Sequence, residues 1–153
     1  MGLTFTTLAA VQHLNIRKSG GDEDPITAID VKLTGEVPGE VLAIPMGSDN
    51  PVEFLNTFWD LPGDVRHFGI EAIHSWAEFE NYTVTLGRLS AFCKVKKIVW
   101  KPQGDRKADL TLTVSIEDPA AALVNYLVDS IKADVRLSLE PPQELPLGPA
   151  AAE

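Results

Sequence analysis

The sequence has one cysteine, Cys93, and two methionines in 153 residues. A single cysteine excludes an internal disulfide framework and any zinc site built from cysteine pairs. Bases are scarce, 13 against 22 acids, for a formal net charge of −9. That balance argues against a strongly basic protein that coats nucleic acid. No apolar run approaches the roughly 20 residues of a membrane-spanning helix. Residues 1–16 lack a basic start, and Thr4, Thr6, Thr7, Gln12 and His13 interrupt their apolar positions, so they do not read as an export signal. The expectation is a cytoplasmic protein that stays out of membranes. Phosphate-binding loops, GxGxxG, HExxH, GxSxG and calcium-loop spacings are also missing. The sequence therefore predicts no cofactor and names no catalytic residue, and a non-enzymatic role is favoured.

What is present is a β-rich pattern. Apolar residues make up 44% of the chain, enough for a core in one ordinary domain. Residues 3–18 are β-compatible, with Val11, His13 and Asn15 read as a solvent-side row and Leu14 and Ile16 as inward. Residues 19–25 have turn composition. Ile29, Val31 and Leu33 then alternate with Asp30, Lys32 and Thr34, a strand with one buried face. The two segments make an antiparallel hairpin. Tyr82, Val84 and Leu86, then Leu110, Leu112, Val114 and Ile116, then Val135, Leu137 and Leu139 repeat the alternation. The long segment 90–100 loses its phase near Lys96-Lys97, which predicts a bulge or bend.

Two helices are expected, at about 51–60 and 119–132. Asn50 caps the first, Pro51 suits its first position and Glu53 completes the cap. Asp118-Pro119 starts the second, whose Leu123, Leu127 and Ile131 form an apolar stripe against the sheet face of Leu112 and Val114. That helix reads as a local parallel crossover into the last strand. Residues 65–79 fit helix and strand equally. The fold class is α+β and β-rich: a mainly antiparallel twisted sheet, as a sandwich or partly open barrel, under two covering helices. Residues 1–140 form one globular domain, and 141–153, with four prolines, a C-terminal tail.

Charge is unevenly placed. Residues 22–80 hold 13 acids and two bases, residues 88–107 seven bases and one acid. The basic segment makes Arg88, Lys94, Lys96, Lys97, Trp100, Lys101, Arg106 and Lys107 the candidate interaction residues. An acidic protein surface suits them, including one on another copy of the chain. The leading expectation is thus a non-enzymatic interaction or structural protein that self-associates through segregated acidic and basic surfaces. Alternatives are a small-ligand binder or enzyme with a pocket near residues 59–82, a nucleic-acid binder using strands 88–107, and an acidic inhibitor whose residues 22–80 imitate a phosphate backbone. His67, Glu71, His74 and Glu78 form a candidate metal set, because helical spacing would place all four on one face. Cys93 precedes Lys94, Lys96 and Lys97 but has no nearby base, which reads as a structural cysteine.

Overall fold

The computed structural model describes residues 3–19, 26–60, 62–66, 72–75 and 77–142. Among the described residues, seven strands and two helices follow one another: β1 (Phe5–Ser19), β2 (Ile26–Pro38), α1 (Pro51–Phe58), β3 (Ile73–Ser75), β4 (Phe79–Leu86), β5 (Leu89–Gln103), β6 (Lys107–Glu117), α2 (Ala121–Asp129) and β7 (Asp134–Glu140). A 3-10 turn, Gly39–Leu42, follows β2.

Every strand pairing is antiparallel, and six strands close a circuit. β1 pairs with β2, β2 with β6, β6 with β5, β5 with β4, β4 with β7, and β7 with β1. β3 lies beside β5 in line with β4. This is a barrel, and closure pairs edges that an open sheet would leave exposed. The alternating residues point into it: Ile29, Val31, Leu33, Val84, Leu86, Leu112, Val114, Ile116 and Leu139 are all at most 1% exposed. Buried apolar side chains of the described residues form one cluster inside it, and the gap between Phe5, Leu33, Leu110 and Leu137 has no room for a water molecule.

Two bulges set which side chains face out. On β1 the register shifts between Val11 and His13. Val11 is therefore fully buried rather than sharing a solvent row with His13 and Asn15. Ile16 stands opposite buried Ile29, on the side expected, yet is 57% exposed. On β5 the expected phase break falls between Lys96 and Val99, with Lys97 in the left-handed region at φ 54°. The extra residue leaves Lys96 and Lys97 both on the outer side and turns Ile98 and Trp100 inward.

The helices close opposite ends. α1 begins as the sequence predicts: the Glu53 N–H donates to Asn50 Oδ1 at 3.2 Å, and Pro51 occupies the first turn. It packs at the Gln103 end of β5, where Phe54, Phe58, Trp59 and Trp100 meet; the two indoles stack with centroids 6.1 Å apart. The Trp59 indole N–H donates to the Gln103 carbonyl at 2.6 Å. Gly39 leaves room for that ring, because a Cβ there would lie 2.5 Å from it.

α2 closes the other end and corrects two expectations. Asp118 takes a left-handed φ of 48° and the helix starts at Ala121 with no side-chain cap, so 119–132 shortens to Ala121–Asp129. Leu123 and Leu127 are buried, but Ile131 is 42% exposed and bridges to Val11. The parallel crossover is also absent. β6 and β7 are two strands apart either way around the barrel, so three antiparallel steps make them run in opposite directions. α2 spans the barrel mouth instead. The ambiguous segment contains strand β3 at Ile73–Ser75, and the Ser75 hydroxyl donates to the Pro45 carbonyl at 2.6 Å.

Candidate interaction face on the outer barrel wall

Closure aligns residues far apart in sequence. On the outer wall of β1, β2, β6 and β5, Asn15, Asp30, Ser115 and Lys94 form one transverse row. His13, Lys32, Thr113 and Lys96 form the next. Each side chain points outward because its neighbours along the strand fill the core.

Asp30 organises the upper row. Arg17 Nε donates to its Oδ2 at 3.0 Å, and Arg17 Nη2 donates to the Ser115 hydroxyl at 2.8 Å. Lys96 Nζ lies 3.8 Å from Asp30 Oδ1, which is buried and accepts no hydrogen bond. Burial pushes the carboxyl up, but hydrogen bonds from Arg17 and Ser115 and the charges of Lys96 and Arg17 outweigh it. The net effect holds Asp30 below its ordinary value. Lys94 is shared between Glu78 at 3.3 Å and Glu80 at 3.9 Å.

Lys32 and Lys97 differ: no acid stands within ion-pair distance of either among the described residues. With Lys96 they line a cleft of about 590 Å³ whose other walls are His13, Asn15, Asp30, Val99, Thr111 and Thr113. Its charged lining is three lysines against one aspartate. A second hollow of about 450 Å³ shares Lys96 and extends past Arg17 and Ser115 to Phe92, Glu80 and Glu117. Phe92 is 77% exposed.

The basic residues singled out in the sequence do not form one patch. Lys94, Lys96, Lys97 and Lys101 share the outer side of β5. Arg88 lies at the β4–β5 turn, the opposite end of the strand from Arg106 and Lys107. Arg106 donates to the Asp60 carbonyl at 3.3 Å, and Lys107 pairs with Glu36 at 3.7 Å. Trp100 is corrected outright: 1% exposed in the aromatic cluster, it offers no surface to a partner. Arg17 and Lys32 were missed. The alternation about Ile29, Val31 and Leu33 marked Lys32 as outward, but no local signal says that β1 and β2 lie beside β6 and β5.

His74 and Glu78 of the candidate metal set do not share a helix, since His74 lies on β3. His67 and Glu71 lie outside the described residues. His74 is exposed on strand β3, and Glu78 lies before β4 and pairs with Lys94. Among the described residues no group of three or more His, Cys, Asp or Glu is placed to hold a metal. In the 59–82 region, Trp59 and Tyr82 belong to the core, the Tyr82 hydroxyl accepting from the Leu3 N–H at 2.8 Å. His74, Ser75, Glu78 and Lys97 line a hollow of about 360 Å³ there. Cys93 is buried, and burial pushes its thiol up to about 12, which suits a structural side chain and not a nucleophile.

The acidic counterpart lies at the α1 end. Residues 33–65 hold six acids and no base. Of these, Glu40, Asp49, Glu53 and Asp64 are exposed around the 3-10 turn and α1. No helix among the described residues is long and apolar enough to cross a membrane. Comparison of the chain with protein-family models, with curated proteins and with solved structures finds no match in any of the three.

Proposed function

We propose that this chain is a non-enzymatic interaction protein that self-associates, the basic outer wall of one copy meeting the acidic α1 end of another. The observation that carries this is the pair Lys32 and Lys97, two lysines in a concave wall with no acidic partner of their own among the described residues. Exposed acids at the α1 end supply the complementary charge. The filled barrel, closed by a helix at each end, supports a role for its outside rather than its inside. Such a contact joins two different surfaces, so it builds chains or rings rather than a closed two-fold dimer.

Light scattering coupled to size exclusion tests it. At an ionic strength of about 0.01 M, where screening reaches roughly 30 Å, the expected mass exceeds the 16.6 kDa protomer. At about 1 M salt, where screening falls to roughly 3 Å, it returns to the protomer. A protomer mass under both conditions overturns the reading.

A second reading rests on Phe92. An exposed ring beside Lys94 and Lys96 is the combination that stacks a base and neutralises phosphates on single-stranded nucleic acid. It predicts that a labelled single-stranded oligonucleotide binds at low salt and that Phe92→Ala weakens it. No anisotropy change at low salt removes this reading.

A further inference from the structure

We infer that the cleft on the outer wall of β2, β6 and β5 is a binding site for a small phosphate monoester, whose phosphate is held by Lys32, Lys96 and Lys97. Strand pairing sets Lys32, Thr113 and Lys96 side by side. Neighbouring strands lie about 4.8 Å apart, so the two lysines rise about 10 Å from each other with Thr113 between them. Their flexible four-carbon stems can bring both ammonium groups together over the Thr113 hydroxyl. In a regular strand Lys97 would point away from this wall, because successive side chains alternate. The register slip between Lys96 and Val99, with Lys97 at a left-handed φ of 54°, puts it on the same side. That backbone is unfavourable for a residue with a side chain, and bulges recur beside sites where they re-aim one.

Charge, donors and size set the occupant. No acid among the described residues pairs with Lys32 or Lys97, and Asp30 is the one acid in the cleft lining. Asp30 Oδ2 takes the Arg17 N–H and Oδ1 is buried, so this carboxylate does not confront a ligand. Three ammonium groups exceed what one carboxylate neutralises. A phosphate monoester carries about −1.5 to −2 at neutral pH and three strong acceptor oxygens, and lysine binds it as a point charge. Asn15 and Val99 supply polar and apolar contacts for the rest of the molecule. The cleft volume of about 590 Å³ suits a small ligand. A long polyanion fits less well, since Glu78 lines the hollow beyond Lys97, and Glu80 and Glu117 line the one beyond Lys96. The inference stands apart from self-association, although the two occupants would compete for Lys32 and Lys97.

The probe is ribose 5-phosphate, titrated at low ionic strength into nitrogen-15-labelled protein dilute enough to sediment as the protomer. Saturable shifts are expected in the backbone amides of Lys32, Lys96, Lys97 and Thr113. Ribose should cause none, and sulfate should bind more weakly because it lacks the organic part. Lys32→Gln and Lys97→Gly should each weaken binding about tenfold, the loss of one charge-assisted hydrogen bond. Glycine keeps the left-handed backbone at 97, so that loss is not the loss of the bulge. Lys18→Gln, at an exposed lysine outside the cleft, should leave binding unchanged. The absence of saturable shifts overturns the inference. So does equal binding of sulfate, which would mean an adventitious ion only, or equal weakening by Lys18→Gln, which would mean general charge attraction. Self-association without ribose 5-phosphate binding overturns this inference alone, and binding by a chain that never self-associates overturns only the earlier reading.

Discussion

The α1 end and the outer wall of β1, β2, β6 and β5 use their residues in opposite ways. At the α1 end, Phe54, Trp59 and Trp100 are at most 5% exposed and the charged residues face water. Stability there comes from buried aromatic area, which is large per side chain and independent of salt. Along the wall, most hydrophobic residues turn inward and the outward rows carry charges, hydroxyls, His13, Asn15 and the exposed Phe92 ring, although Leu8 and Ile16 of β1 are also exposed. Charges at a surface contribute little to folding and much to the choice and orientation of partners. The difference separates residues that make the barrel from residues that are free to act, and it makes α1 a stabilising element that also presents the acidic surface.

The comparison can be broken at several points. Trp59→Ala should have the largest effect, about 3–5 kcal/mol by denaturant unfolding, because it empties the centre of the aromatic cluster. A loss below about 1 kcal/mol would mean that the cluster is not what closes this end. Gly39→Ala should cost about 1–3 kcal/mol, since its Cβ must displace the Trp59 ring. Asp30→Ala should cost about 1–3 kcal/mol near neutral pH, as it removes the acceptor of Arg17 and leaves that guanidinium half-buried. Its cost depends on pH in a set direction. The folded value of Asp30 is lowered, so its contribution is complete above the unfolded value near ~4 and is lost as pH falls through the lower folded value. Wild type and variant should therefore converge in stability in acid. Lys32→Glu and Lys97→Glu together should change stability least, within about 0.5 kcal/mol, because both side chains are exposed and neither is paired with an acid among the described residues.

Much of the barrel was legible because alternation is a local signal. Leu110, Leu112, Val114 and Ile116 declared their face without reference to any partner strand. So did Asn50, Pro51 and Glu53, whose cap chemistry lies within four residues. What was not legible depended on closure or on a slip of phase. Trp100 read as surface because it lies among lysines; only the extra residue at Lys97 turns it inward. Val11 was misplaced by the bulge before His13 for the same reason. Asp118-Pro119 resembled a helix start, yet the left-handed backbone at Asp118 delays the helix to Ala121. The arrangement of Arg17, Asp30, Ser115 and Lys96 joins four strands through pairings up to 98 residues apart, and no local pattern encodes it.

The most direct test of the account is a charge swap across the proposed contact. One variant carries Lys32→Glu with Lys97→Glu on the wall; the other carries Glu40→Lys with Glu53→Lys at the α1 end. Analytical ultracentrifugation at low ionic strength would follow each variant alone and the two mixed with wild type. Each variant alone should sediment as a protomer, because its contact sets like charge against like. Each should still join wild type through its one unaltered surface, ending the assembly there instead of extending it. Variants that assemble as wild type does, or a wild type that sediments only as a 16.6 kDa protomer, would contradict the claim that the outer wall and the α1 end bind each other.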